Sequence, residues 1–325
     1  MEPPPFNQLI GHLQAVELLI RAVTLQRIAP AYLFVGPPGV GRGLAAENFA
    51  ELLLGFPVDP QSLPSDETSK LTRLRHRIQQ HNHPDLLWVK PTYLHQGRRV
   101  TADEAMALGL KRKSPAKIRL EQVREIARFL SRPPLEAPRS VVVIEQSETM
   151  AEAAANALLK TLEEPGQATI ILMAPDSNAL LPTLISRCQC IPFTRLNPEQ
   201  IAQVLTQTDN GEILNQPEVL AIAQGSPGQA IASWRQLQTI PPELLASLNS
   251  PPNSIKGALE LARSITQALD TEAQLWLVDY LQQCYWRSAQ LNQVDTLRCL
   301  EDARRHLLSY VQPRLVWEVT LMGLV

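Results

Sequence analysis

The sequence predicts an α/β fold with a parallel sheet around a glycine-rich phosphate loop, followed by a small helical domain and an all-α C-terminal bundle. Three observations carry this. The apolar run Ala31–Val35 leads directly into Gly36-Pro-Pro-Gly-Val-Gly41 and then into a helical pattern, the strand, loop and helix context that a P-loop requires. Further short apolar runs alternate with helical segments as far as about residue 195, which implies parallel strands joined by crossover helices. After Pro192 the pattern is helical, with almost no strand signal.

The elements follow in order. Residues 7–27 place Leu9, Leu13, Val16, Leu19, Ile20 and Val23 at helical spacing. Residues 43–54 return to helix after the glycine loop. Residues 55–84 are polar and proline-rich, and Asp85–Val89 reads as a second strand. Residues 95–117 read as an exposed loop or lid. Ile118–Leu130 is an amphipathic helix stopped by Pro133-Pro134. The four consecutive apolar residues Val141–Ile144 suit a central strand buried on both faces. Ala151–Glu164 is rich in alanine and leucine and ends at Pro165-Gly166. Thr169–Met173 is a further buried strand. Asn197-Pro198 is a helix start, with a capping side chain and proline at the first helical position. Residues 197–240 form a small helical unit, 241–252 a proline-rich linker and 253–325 a helical bundle. The expected domains are 1–195, 196–242 and 243–325.

Composition narrows the function classes. The chain has 325 residues, 45 % of them hydrophobic, and a formal net charge of −2. Near-neutral charge argues against a chain that coats nucleic acid unaided. No apolar run approaches the ~18 residues of a membrane span, and Met-Glu-Pro-Pro-Pro lacks the layout of a signal peptide. Cys188, Cys190, Cys284 and Cys299 have no C-x-x-C spacing, so a cytoplasmic protein with free thiols is expected. Basic residues are concentrated between Arg98 and Arg139, among them Lys111, Arg112, Lys113, Lys117, Arg119, Arg124, Arg128 and Arg132. This is either a solvated helix face or a surface toward an acidic partner or DNA backbone. Trp234, Trp276 and Trp286 are expected in the helical core.

The P-loop pattern G-x-x-x-x-G-K-[ST] here reads Gly36-Pro37-Pro38-Gly39-Val40-Gly41-Arg42-Gly43. Gly36, Gly39 and Gly41 would let backbone N–H groups converge on phosphate oxygens at a helix N-terminus. The alternative is a glycine turn that only packs strand against helix. Arg42 replaces the lysine with a bulkier, forked cation. Gly43 lacks the hydroxyl that would hold Mg²⁺. At the next station, Val141–Ile144 is followed by Glu145-Gln146 where a nucleotide hydrolase of this kind carries Asp-Glu. An amide at Gln146 cannot accept the proton of an attacking water, a step worth roughly 10²–10⁴ in rate.

Several stretches make the resemblance specific: Ile118-Arg-Leu-Glu-Gln-Val-Arg-Glu125, Asn156-Ala-Leu-Leu-Lys160-Thr-Leu-Glu163-Glu164-Pro165 and Leu184-Ile-Ser186-Arg187-Cys188. Together with the opening Phe6-Asn-Gln-Leu-Ile-Gly11-His12, they resemble the AAA+ subunits of bacterial sliding-clamp loaders over nearly all of 1–195 and more weakly beyond. The resemblance implies an AAA+ P-loop α/β domain, a helical lid and a C-terminal collar bundle. It also implies partners: gamma/tau-type ATPase subunits, a delta-type clamp-opening subunit, and the sliding clamp and primed DNA reached through the assembled complex.

The sequence departs from the family's active pattern at Arg42, Gly43 and Gln146. Pro175 fills a sensor position, and Gly228 in Gly225-Ser-Pro-Gly228 stands where active subunits place an arginine. The resemblance is therefore to a subunit without turnover of its own, in which ATP binding is open and hydrolysis is not expected. Arg187 is intact, and in the family this arginine reaches ATP held by the neighbouring subunit. A plain surface arginine ending a helix is the alternative. The family's four-cysteine zinc module has no counterpart, because residues 55–90 contain no cysteine; His76, His81 and His83 alone are poor zinc ligands, and no zinc is expected. The helix bearing Asn156 and Lys160 and the basic 111–132 stretch are candidate faces toward clamp, DNA or another subunit. Two rivals stay open at this point, an active ATPase subunit using Arg42 and a P-loop small-molecule kinase. An independent DNA-binding module is a third.

Overall fold

The computed structural model describes residues 5–58, 65–108, 115–164, 166–248, 252–287, 293–309 and 311–325. The chain divides into two compact units, Met1–Arg195 and Leu196–Val325.

The first unit runs α1 (Leu13–Thr24), β1 (Ala31–Val35), α2 (Arg42–Leu53), α3 (Ser65–Gln79), β2 (Leu86–Val89), β3 (Tyr93–His95), β4 (Arg98–Val100), α4 (Ala102–Ala107), α5 (Leu120–Leu130), β5 (Ser140–Ile144), α6 (Glu152–Glu163), β6 (Ala168–Ala174), α7 (Pro182–Ile185) and β7 (Gln189–Pro192). The main sheet has the order β2-β5-β6-β1-β7 and all its pairings are parallel. β5 and β6 are buried along their whole length, and alternate residues serve opposite faces. Tyr32, Phe34, Val141, Val143, Ile171 and Met173 join the cluster under α1 and α2. Leu33, Val142, Ile144, Ile170 and Leu172 join the one formed with α5 and α6. Continuous apolar runs are what two-faced burial requires.

Three parts of this unit differ from the sequence expectation. The polar stretch before β2 contains the helix α3. Its pattern has few apolar residues, and it is held by Ile78, by the partly buried Leu74 and by ion pairs. The expected loop at 95–117 begins as the β3–β4 hairpin, in which Tyr93 pairs with Val100, and continues into α4. Lys111, Arg112 and Lys113 lie outside the described residues. The edge strand β7 is short and only Ile191 is buried, so it carries no apolar run that periodicity can detect.

The second unit contains α8 (Pro198–Gln207), α9 (Pro217–Ala223), α10 (Pro227–Thr239), α11 (Pro242–Leu248), α12 (Ile255–Ala268), α13 (Thr271–Arg287), α14 (Gln293–Leu308) and α15 (Pro313–Met322). Asn197 caps α8 as expected: its side chain accepts the Gln200 N–H at 2.8 Å, and Gln200 accepts the Asn197 N–H at 3.0 Å. One hydrophobic cluster gathers Leu196, Ile201, Leu205, Ile213, Val219 and Leu237. A larger one is built by α11 to α15 around Leu277, Leu281, Leu300 and the fully buried Trp317. Pro241-Pro242, expected in a linker, instead opens α11, because proline is well tolerated in a first helical turn. Trp276 is half-buried, bonded to Ser233 Oγ at 3.2 Å and stacked on Tyr280. Trp286 is not a core residue: it is 61 % exposed on the outer side of α13.

Candidate functional site

Two stations matter chemically, the glycine loop and Arg187. The loop follows β1 at the C-terminal end of the sheet. Gly36 is required by space: a Cβ there would lie 2.2 Å from the Phe193 carbonyl oxygen. Gly39 and Gly41 have φ of +77° and +110°, where glycine carries no steric cost. A Cβ on Gly41 would also meet Leu9 Cδ1 at 2.8 Å. His12 is buried and its Nε2 bonds the Val40 carbonyl at 2.8 Å, so the ring is the donor. Burial lowers the His12 pKa against the raising effect of that bond, which favours a neutral imidazole. Val40 itself is packed in the core with Phe6 and Leu9. The loop is thus pinned from three sides.

Arg42 opens α2 beside this loop. Its Nε and Nη1 are buried and make no hydrogen bond. Burial lowers the guanidinium pKa, opposed by Glu148. Glu148, in the turn after β5, has one buried carboxylate oxygen without a partner and is raised above its ordinary pKa chiefly by burial. The sequence drew attention to Glu145 and Gln146 and missed Glu148, the carboxylate electrostatically coupled to Arg42. Glu145 instead accepts a hydrogen bond from the Trp88 indole and lies 3.7 Å from Lys90 Nζ. Gln146 is exposed at φ +46°, the left-handed turn that ends β5. Gly43 has open space around a virtual Cβ.

Orphaned guanidinium atoms and a glycine-lined helix N-terminus fit an anion such as a phosphate. The metal and water machinery does not fit. Gly43 has no hydroxyl, Glu145 is engaged by Trp88 and Lys90, and Gln146 is a neutral amide turned to solvent. No hydrolytic step follows from these side chains.

The region in which the resemblance placed a zinc module, and in which no zinc was expected, is held by charge. Arg75 makes two bonds to Glu51, at 3.1 and 2.9 Å, and its guanidinium lies 4.6 Å from the Phe56 ring centroid. Arg77 bonds Glu136 at 2.7 Å. The buried Asp85 accepts the N–H groups of Leu135, Glu136 and Ala137 at 2.7, 2.8 and 2.8 Å. His76 bonds Gln80, and His81 stacks on Trp88 at 4.1 Å. Among the described residues no group of His, Cys, Asp or Glu side chains is placed to hold a metal ion.

Arg187 stands after α7 and before β7. The register pairs Gln189 with Tyr32, which places Arg187 level with the start of β1. The glycine loop begins past the other end of β1, about 20 Å away at strand rise. Arg187 Nη1 donates to the Thr183 carbonyl at 2.9 Å and Nη2 to Glu163 Oε1 at 2.8 Å. Ser186 Oγ also bonds the Thr183 carbonyl at 3.1 Å. Cys188, next in the chain, is half-buried, and burial pushes its thiol up to about 12, so it is a packing residue at neutral pH.

Comparison with known proteins bears on both units. Residues 11–197 match the family model described as DNA polymerase III, delta subunit, and residues 199–324 match the model of the cyanobacterial DNA polymerase III delta prime, C-terminal domain. DNA polymerase III subunit delta' of Bacillus subtilis is 30 % identical over 197 residues, covering 60 % of this chain and 51 % of that protein. The Pseudomonas aeruginosa delta' subunit is 33 % identical over 204 residues, covering 61 % and 54 %. The matched part of the chain thus spans about half the length of these curated relatives. A DNA polymerase III gamma-subunit-related protein from Thermotoga maritima has a similar fold, with a TM-score of 0.52 at 16 % identity, covering 94 % of this chain and 97 % of that one. No helix among the described residues is long and apolar enough to cross a membrane.

Proposed function

The chain belongs to the DNA polymerase III delta-subunit family, and on that premise we propose that it is a delta-prime-type clamp-loader subunit that does not hydrolyse ATP and presents Arg187 to a neighbouring ATPase subunit. The position of Arg187 carries this reading. Its guanidinium is at the surface, at the end of the sheet opposite its own P-loop. That placement, away from its own loop, supports action on a nucleotide held by another chain. There it would neutralise charge developing on the transferred phosphoryl group, an effect worth roughly 10³–10⁵ in rate in favourable systems.

The loop's packing supports the role of a stator. Phe193, Leu9 and His12 hold the glycines against the core, and the groups for metal and water are missing or engaged. In this reading residues 196–242 are the lid and 243–325 the collar. Leu315, Val319 and Met322 lie exposed along one face of α15, an apolar stripe suited to packing against other collar bundles. The partners are gamma/tau-type ATPase subunits and a delta-type subunit, with the sliding clamp and primed DNA reached through the assembly in the cytoplasm.

The test is reconstitution of the loader with Arg187→Ala. Clamp- and DNA-stimulated ATPase should fall at least tenfold while the complex still assembles. An unchanged rate would remove the finger role. Substantial ATP turnover by the isolated chain, lost in Arg42→Ala, would remove the stator role.

A further inference from the structure

We propose that Glu163 is a holding partner for Arg187, an intramolecular carboxylate that keeps the guanidinium occupied until the neighbouring subunit's phosphates displace it. This rests on Arg187 acting in trans as described above.

The geometry is that of an anion already bound. Arg187 Nη2 meets Glu163 Oε1 at 2.8 Å while Nη1 is held by the Thr183 carbonyl at 2.9 Å. A carboxylate and a phosphoryl group compete for the same planar fork of N–H donors. Arg187 therefore cannot give Nη2 fully to a phosphate without leaving Glu163. Glu163 is the last residue of α6, where the helix's partial negative charge also favours a cation. The following Glu164 is exposed and makes no ion pair among the described residues, so the pairing is specific to one of two adjacent carboxylates.

The pair is also weak enough to release. Its side chains are 37 % and 53 % exposed, and pairs this open to water are screened and readily exchanged. A triphosphate with several anionic oxygens outcompetes one solvated carboxylate once the subunits close together. Before closure the carboxylate suppresses unproductive contact. Glu163 is thus a positioning residue, acting through Arg187.

The experiment is ATPase of the reconstituted loader with Glu163→Gln, with and without clamp and primed DNA. The basal rate should rise roughly two- to five-fold, the factor that an exposed ion pair accounts for. The stimulated rate should change less than twofold, so the ratio of stimulated to basal rate falls. Glu163→Asp, which keeps the charge, should hold the basal rate near that of the natural chain, and Glu164→Gln should change nothing. Glu163→Gln combined with Arg187→Ala should match Arg187→Ala alone. An unchanged or lower basal rate in Glu163→Gln, beside a clear loss in Arg187→Ala, overturns the holding role and leaves the finger standing. No effect of Arg187→Ala removes the finger and the holding role together.

Discussion

Glu145 accepts a hydrogen bond from the indole of Trp88 and lies 3.7 Å from the ammonium of Lys90, so the carboxylate at the end of β5 is already engaged. His81 stacks on the same indole, which fixes Trp88 in place. Under the proposed stator role, the loss of turnover is distributed over several residues. Restoring the P-loop alone should not reverse it. Arg42→Lys combined with Gly43→Thr should fold, because a Cβ at 43 meets nothing within 4 Å. Steady-state ATP hydrolysis by this variant should stay at background, and turnover on the scale of ~1 s⁻¹ would show that Glu145 can leave Trp88.

The glycines of the loop make different contributions, and substitution separates them. Gly36→Ala drives a methyl into the Phe193 carbonyl at 2.2 Å and should cost about 3 kcal/mol or more. Gly43→Ala fills open space in the first turn of α2 and should be neutral or stabilising by up to about 1 kcal/mol. Urea midpoints of the two variants test this. Equal stabilities would mean that the loop yields at Gly36.

The ion pair between Arg75 of α3 and Glu51 of α2 ties the polar stretch before β2 to the rest of the first unit. Glu51 is only 1 % exposed while Arg75 is 36 % exposed. Removing Arg75 leaves a buried carboxylate without its cation. Breaking a fully buried pair costs about 3–5 kcal/mol, and the exposure of Arg75 reduces this to roughly 1–3 kcal/mol. Arg75→Ala should lower the melting temperature by that measure, and Glu51→Gln with Arg75→Ala should recover part of it. A double variant no better than Arg75→Ala would assign the loss to the contact with Phe56.

What could be read from the sequence follows from where the physical signal lies. β1, β5 and β6 are continuous apolar runs buried on both faces, and the Asn197-Pro198 cap is a local signal, so both were legible. β7 has one buried residue and α3 few apolar ones; their formation depends on β1 and on Glu51, which are distant in sequence. The glycine loop was legible from its spacing, whereas Arg187 was singled out by resemblance alone. Glu148 was not legible, because its relation to Arg42 depends on the left-handed turn at Gln146. Nor was the partner of Arg187, since Glu163 is 24 residues away and meets it only once α6 and α7 pack. Trp286 shows the reverse limit: a tryptophan in a helical pattern carries no information about which face it occupies.

Asp85 gives the first unit an acid-sensitive point. Burial would raise its pKa, but the N–H groups of Leu135, Glu136 and Ala137 and the nearby His83 favour the carboxylate, and the net result lies below the ordinary value. A depressed folded pKa means that the unfolded chain takes up a proton first as pH falls. The stabilisation is thus fully present above about pH 4, the unfolded value, and is lost as pH falls through the folded value. Asp85→Asn removes the charge at every pH and supplies at most one acceptor for three donors. It should lower stability at neutral pH by about 1–3 kcal/mol and flatten the decline below about pH 4. Urea denaturation across that range, followed by circular dichroism, reads both effects. A variant that keeps the full acid decline of the natural chain would place the sensitivity on other carboxylates.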